Sequence, residues 1–157
     1  MPKTILCICS GNYCRSPMAE GLLRREIANH GHASQISVHS AGTTNYYEGQ
    51  PPAPLVMQVV KEHGGDLNGY HPHQLTPQDI AQADLILAIA QEHMDYIAEH
   101  FPQAAPRTLL LSQLVGQHAD VLDPGVQEIG ALDRCADLIE RYITKGYAEI
   151  LRRVINK

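Results

Sequence analysis

The sequence predicts one α/β domain over residues 1–157: a four-stranded parallel sheet, in the order 2-1-3-4, with helices on both faces in a three-layer arrangement. Three observations lead to the parallel α/β architecture. Short apolar runs alternate with stretches of helical spacing, the pattern of strands joined by right-handed helical crossovers. Glycine and proline signals mark most of the boundaries. A chain of 157 residues is also the size of a single compact core.

The elements follow in order. Thr4–Cys9 is an apolar run that breaks at Ser10-Gly11-Asn12 and reads as the first strand. Ser16-Pro17 then signals a helix start, with Ser16 as the cap and Pro17 at the first helical position. That helix carries Met18, Leu22, Leu23 and Ile27 on one face, sets Glu20 near its positive end and stops at Gly31. In Ile36–Ala41, Ile36 and Val38 alternate with polar neighbours, which predicts the second strand. A long loop containing Tyr46, Tyr47, Gly49, Pro51 and Pro52 leads to a helix over Leu55–His63, ended by Gly64-Gly65. Asp84–Ala90 has the continuous apolar character of a strand buried on both faces. Gln91–His100 is helical until Pro102, and Thr108–Leu111 is the fourth strand. Leu132, Cys135, Ile139, Tyr142, Ile143, Ile150 and Leu151 recur at helical intervals, so one long final helix is expected, with Gly146 as its weak point.

Composition excludes several classes of function. The formal charge is -5, without the clustered Lys and Arg of a nucleic-acid binder. No apolar run approaches the roughly 20 residues of a membrane helix, so no membrane insertion is expected. Met1-Pro2-Lys3 leads straight into the first strand, the wrong layout for a removable signal, and three of the four cysteines crowd between Cys7 and Cys14. A reducing, cytoplasmic setting follows. Cys7, Cys9 and Cys14 lack the spacing of a tetrahedral metal site, and neither nucleotide-binding glycine pattern is present. No metal and no cofactor is implied.

The chemistry concentrates in Cys9-Ser10-Gly11-Asn12-Tyr13-Cys14-Arg15-Ser16, where a thiol and a guanidinium stand six residues apart at the C-terminal end of a predicted strand. Ligands of parallel α/β sheets bind at that edge. If the loop wraps with its backbone N–H groups inward, Ser10 to Ser16 form an anion nest that the following helix N-terminus strengthens. Arg15 offers two parallel hydrogen bonds to phosphoryl oxygens, a geometry Lys does not match. The same positive surroundings favour a thiolate at Cys9, the nucleophile for attack at phosphorus. Ser16 can also donate to that thiolate.

Cys-x-Gly-Asn-x-Cys-Arg-Ser-Pro after an apolar strand resembles the signature of the low-molecular-weight protein tyrosine phosphatases. Ser40-Ala41-Gly42-Thr43 and Asp123-Pro124, in the same order and spacing, extend the resemblance along the whole chain. It implies a metal-free reaction through a phosphocysteine on Cys9, with Asp123 first as acid and then as base. Asp120 is the rival carboxylate, and Asp123 carries the proline of the family pattern. The resemblance also implies that Cys14 is a redox partner of Cys9, although a packed loop thiol is the other reading. Asn12, Ser16, Ser40 and either His71 or His73 resemble the polar network that supports the family's loop. The implied partner is a phosphotyrosine protein, with a bacterial tyrosine kinase as one candidate.

Gly125-Val126 stands where many members have tyrosines, so one aromatic wall is expected to be missing. Tyr13, Tyr46 and Tyr47 are the candidates to stack on a substrate ring. Ile89-Ala90 and His71-Pro72-His73-Gln74 depart from the pattern too. Two alternatives remain at this stage: an arsenate reductase on the same fold, which needs a thiol relay, and a phosphopeptide-binding module, which needs no Asp123. Outside the loop only Cys135 is available, on an apolar helical face suited to core packing.

Overall fold

In the computed structural model, which describes residues 1–156, strands β1 (Lys3–Cys9), β2 (Ile36–Gly42), β3 (Leu85–Ala88) and β4 (Thr108–Leu110) form one parallel sheet in the order β2-β1-β3-β4. This is the predicted order. Central β1 pairs with β2 from Lys3–Ile36 to Cys9–Gly42, and with β3 from Ile5–Leu85 to Ile8–Ala88.

Successive side chains of a strand point to opposite faces, so β1 divides the core in two. Ile5, Cys7 and Cys9 join Met18, Leu22 and Leu23 of helix α1 (Arg15–Asn29). Helices α2 (Pro54–Glu62), α5 (Ile129–Lys145) and α6 (Tyr147–Val154) complete that layer with Val59, Ile139 and Ile150. On the other face Leu6, Ile8 and Ile86 pack against Ile80 of α3 (Pro77–Gln82) and Ile97 of α4 (Gln91–His100). Each fully buried aliphatic side chain contributes about 1.5–3 kcal/mol, and both faces of β1 are dry, which holds its C-terminal end firmly.

Several boundaries differ from the sequence reading for identifiable reasons. Helix α1 starts at Arg15, so Ser16 is its second residue and not its cap: the capping position falls on Cys14, which makes no side-chain cap bond, and the Ser16 hydroxyl accepts from Asn12 in the interior. Strand β3 covers only Leu85–Ala88, since Ala90 already caps α4. Strand β4 ends at Leu110, where Leu111–Val115 tightens into a 3-10 turn. Helix α3 was not foreseen, although Thr76-x-x-Asp79 encodes it: Thr76 Oγ1 accepts from the Asp79 amide at 3.1 Å and Asp79 Oδ2 accepts from the Thr76 amide at 3.0 Å. The single long final helix is instead two helices divided at Gly146. A Cβ there would lie 2.5 Å from Leu114 Cβ, so the chain passes too close to Leu114 for any other residue.

The C-terminal end of α2 is tied to α5 by His63, whose Nε2 lies 2.7 Å from Asp133 Oδ1 and whose Nδ1 lies 3.6 Å from Glu140. Burial lowers the affinity of His63 for a proton, but the bonds to Asp133 and Glu140 outweigh it and leave its pKa raised above 6.5. A histidine that holds its proton more tightly when folded gives its full stabilisation below the unfolded value and loses it as pH rises through the folded one. Urea midpoints are therefore expected to fall as pH is raised from below the ordinary histidine value, about 6.5, through the raised one. Asp133→Asn should flatten that fall, and an unchanged slope in the variant would refute the assignment.

Candidate active site

Cys9 is the last residue of β1, 3% exposed, and its Sγ lies 3.0 Å from Ser16 Oγ. The loop beyond it turns through Asn12, which has φ of 52°, a left-handed conformation that most side chains resist. Asn12 is fully buried and every polar group of its side chain is used. Its Nδ2 donates to Ser16 Oγ at 2.9 Å and to Ser40 Oγ at 2.8 Å, and its Oδ1 accepts from the His73 amide at 3.1 Å. Its carbonyl accepts from the Tyr70 hydroxyl at 2.7 Å.

The network therefore runs from Cys9 through Ser16, Asn12 and Ser40 to Glu20, where the Ser40 hydroxyl donates to Oε1. Neither candidate histidine ring takes part. His73 contributes its backbone N–H, while its ring sits 3.3 Å from Asp79, the carboxylate that caps α3. Glu20 and Tyr70 are the members that sequence reasoning missed. Glu20 carried a signal, being a carboxylate inside the apolar run Met18–Leu23; Tyr70 carried none. Burial raises the pKa of Glu20, with the Ser40 bond and Arg24, 2.6 Å away, pulling the other way.

Arg15 is 7% exposed and donates from Nη1 to the Val121 carbonyl at 2.8 Å. The Val121 amide in turn donates to the Ile89 carbonyl at 3.0 Å, so the guanidinium and the segment that carries Asp123 are anchored together at the end of β3. Asp123 Oδ1 accepts from the Gly125 amide at 3.0 Å. Gly125 has φ of +72°, which suits glycine and explains why no tyrosine stands there. Asp120 is occupied elsewhere, accepting from the Gln91 amide at the start of α4.

These groups converge on a cleft of about 400 Å³ that Cys9, Arg15 and Asp123 line. Ser10, Gly11 and Cys14 also face it, whereas Asn12, Ser16 and Ser40 stand behind the loop. One wall is aromatic. The rings of Tyr13 and Tyr47 stack at 3.8 Å and 4°, and Tyr46, 74% exposed, meets Tyr47 edge-on at 4.7 Å. Gly11 makes room for this wall, since a Cβ there would stand 2.7 Å from the Tyr47 ring. The facing wall is low, built from Gly125 and Val126.

All four cysteines are free thiols. Burial pushes Cys14 well above the usual thiol range, and its Sγ contacts the Gly125 carbonyl at 3.6 Å. Cys135 packs in the core as expected, pushed up to about 11 by burial.

Residues 4–156 match the family described as low molecular weight phosphotyrosine protein phosphatase. The chain belongs to that family. A probable low molecular weight protein-tyrosine-phosphatase, EpsP, of Ralstonia nicotianae is 33% identical over 141 residues, spanning 90% of this chain and 91% of its own. A protein-arginine-phosphatase of Geobacillus stearothermophilus is 36% identical over 154 residues, spanning 95% and 99%. The solved structure of Vibrio vulnificus Wzb in complex with benzylphosphonate superposes with a TM-score of 0.81 at 31% identity, covering 95% of this chain and 99% of that one. The family is one of hydrolases acting on phosphorylated proteins by cysteine chemistry, and the present chain is such an enzyme. No helix among the described residues is long and apolar enough to cross a membrane.

Asn12→Ala removes the side-chain bonds to Ser16, Ser40 and the His73 amide and places alanine at positive φ. Unpaired buried polar groups cost about 1–3 kcal/mol each, partly relieved by relaxation. A loss of about 2–4 kcal/mol in urea unfolding is expected on that basis, with a smaller loss for Asn12→Gly, which tolerates the backbone. Equal losses in the two variants would mean that the left-handed conformation carries no cost here.

Proposed function

We propose that this chain hydrolyses phosphotyrosine and related aryl phosphate monoesters, with Cys9 as nucleophile, Arg15 as the transition-state clamp and Asp123 as general acid and then base. The observation that carries the reading is the convergence of the three side chains on one cleft whose wall is a stacked tyrosine pair. The phosphoryl group sits in the loop from Ser10 to Ser16, where the backbone nest, the start of α1 and Arg15 supply positive potential. Cys9 sulfur attacks phosphorus from below. The phenolic oxygen leaves on the opposite side and takes the Asp123 proton, and the Ser16 hydroxyl donates to the sulfur when it carries charge. In the second step Asp123 removes a proton from water, the water oxygen bonds to phosphorus, and the Cys9 thiolate departs.

Tyr13 and Tyr47, with Tyr46 beside them, support an aryl substrate by offering a ring-sized apolar face. The arginine-phosphatase relative makes phosphoarginine the second reading. Asp123 is the only carboxylate lining the cleft among the described residues, so a guanidinium leaving group has just one anionic partner there, and that partner is already assigned to proton transfer. The proposed substrate is thus a phosphotyrosine protein, a bacterial tyrosine kinase being one candidate. Four free thiols fit a reducing compartment, and the proposed location is the cytoplasm. Cys14 is the proposed redox partner: a Cys9 sulfenic acid formed by peroxide condenses with the Cys14 thiol to give a disulfide and water.

Cys9→Ser is expected to abolish metal-free hydrolysis of aryl phosphates, with the phosphocysteine missing from acid-quenched enzyme. Asp123→Ala should lower turnover of phenyl phosphate by about 10²- to 10⁴-fold and that of p-nitrophenyl phosphate by less, because a better leaving group needs less protonation. Equal losses on both esters would remove Asp123 from the acid role. A phosphotyrosine peptide should be turned over at least ~10-fold more efficiently than a phosphoarginine peptide, about 1.4 kcal/mol of transition-state preference. The reverse ratio would replace the aryl reading with the second one.

A further inference from the structure

We propose that Ser10, His93 and Glu92 form a positioning triangle that locks the first turn of the phosphate-binding loop onto the start of helix α4, so that the Ser10 amide is presented to the bound anion. The triangle joins residues far apart in sequence. Ser10 Oγ lies 3.0 Å from His93 Nε2 and 3.0 Å from Glu92 Oε1, and His93 Nε2 is 3.2 Å from the same Glu92 oxygen.

The direction of each bond follows from one contact on the far side of the ring. His93 Nδ1 accepts from the Ala90 amide at 3.1 Å, so it carries no proton in the neutral imidazole. The proton is therefore on Nε2, which donates to Ser10 Oγ. The Ser10 hydroxyl, having accepted, sends its own proton to Glu92. The Ser10 carbonyl is held as well, accepting from the Thr44 amide at 2.9 Å and from Thr44 Oγ1 at 3.1 Å. With side chain and carbonyl both committed to the scaffold, the amide is the polar group of Ser10 left for the cleft that Ser10 lines.

His93 is 1% exposed, far more buried than a helix-start histidine needs to be for capping alone. The charged groups facing it are Arg15 from the loop and the start of α1, Glu92 from its own helix, and Asp120 from the segment before Asp123. Burial, then Arg15, hold its pKa at about 4, so the imidazole stays neutral while the enzyme works. That state is the one the triangle requires. An imidazolium would turn an Nδ1 proton against the Ala90 amide and break the fixed orientation.

The proposal rests on the phosphatase reading for its catalytic consequence, and its test separates the two. Protection of Cys9 from iodoacetamide by inorganic phosphate reports the loop without turnover, and kcat/KM for an aryl phosphate reports the reaction. Asparagine keeps an acceptor where Nδ1 stands but loses the reach to Ser10, whereas glutamine keeps a donor near Nε2. Ser10→Ala and His93→Asn should each weaken phosphate protection and kcat/KM by about tenfold, the scale of one hydrogen bond. His93→Gln should stay within about threefold of wild type, and Ser10→Ala/His93→Asn should be no worse than Ser10→Ala alone, because Ser10→Ala already removes the link to His93 along with that to Glu92. Ser10 is only partly buried, so Ser10→Ala tests the idea even where the His93 variants fold poorly. Wild-type protection in Ser10→Ala, multiplied losses in the double variant, or a wild type that phosphate does not protect would overturn the triangle. If phosphate protects the wild type, Ser10→Ala weakens that protection, and no aryl phosphate is hydrolysed, the phosphatase reading falls and the triangle stands.

Discussion

A single backbone conformation underlies the site: Asn12 held at positive φ in a fully buried position. An asparagine tolerates that region better than most residues, but burying its amide is unfavourable unless each donor and acceptor is paired. Ser16, Ser40, the His73 amide and the Tyr70 hydroxyl complete the pairing. Those partners come from α1, β2 and the segment before α3. The loop shape is thus a property of the assembled sheet rather than of the eight residues that form it. Gly42 shows the same dependence from the outside, since a Cβ there would lie 2.7 to 2.9 Å from backbone atoms of Ser10, Asn12 and Gly11.

The chain carries a formal charge of -5, yet its proposed ligand is an anion, so the favourable potential must be made locally. Arg15 and the start of α1 supply it at the cleft that Cys9 lines. The buried carboxylate of Glu20, at the other end of the polar network, works against it. Two features limit that opposition: burial favours the neutral carboxyl, and Arg24 at 2.6 Å offsets the charge whenever it is present. A negative protein with a positive loop is consistent because the interaction with a bound phosphate is short-ranged, while surface charges farther off are screened by salt.

Much of this was legible in the sequence because the informative residues are adjacent. Strand, loop and helix start occupy Thr4 to Pro17 without interruption, and the alternation of elements was enough to give the parallel sheet. What was illegible depends on contacts between distant segments. Ser16 reads as a helix cap by local rules, but the helix begins one residue earlier, at Arg15, and the Ser16 hydroxyl is taken by Cys9 and Asn12. The choice between His71 and His73 was illegible for a similar reason: His73 joins the network through its backbone N–H, while Asp79, six residues on, holds its ring. Gly146 was recognised as a weak point, but only the position of Leu114 turns weakness into a break. His93, one of the chain's nine histidines, lies in a stretch of ordinary helical spacing and gave no signal at all.

The asymmetry of the cleft follows from how its proposed acid is held. Asp123 is oriented by the Gly125 amide, and Gly125 reaches that position with φ of +72°, where a β-carbon would introduce strain. A tyrosine at 125 would therefore compete with the hydrogen bond that aims the carboxylate. With that side low, the aromatic surface is supplied from the opposite wall, and Gly11 allows Tyr47 to lie flat against Tyr13. On the proposed reading, such a cleft stacks a substrate ring on one face and leaves the other open to solvent and to the chain that bears it. Recognition then rests on the fit of the phosphoryl group in the loop and on a single aromatic wall. Those constraints favour a flat aryl ester over a particular flanking sequence.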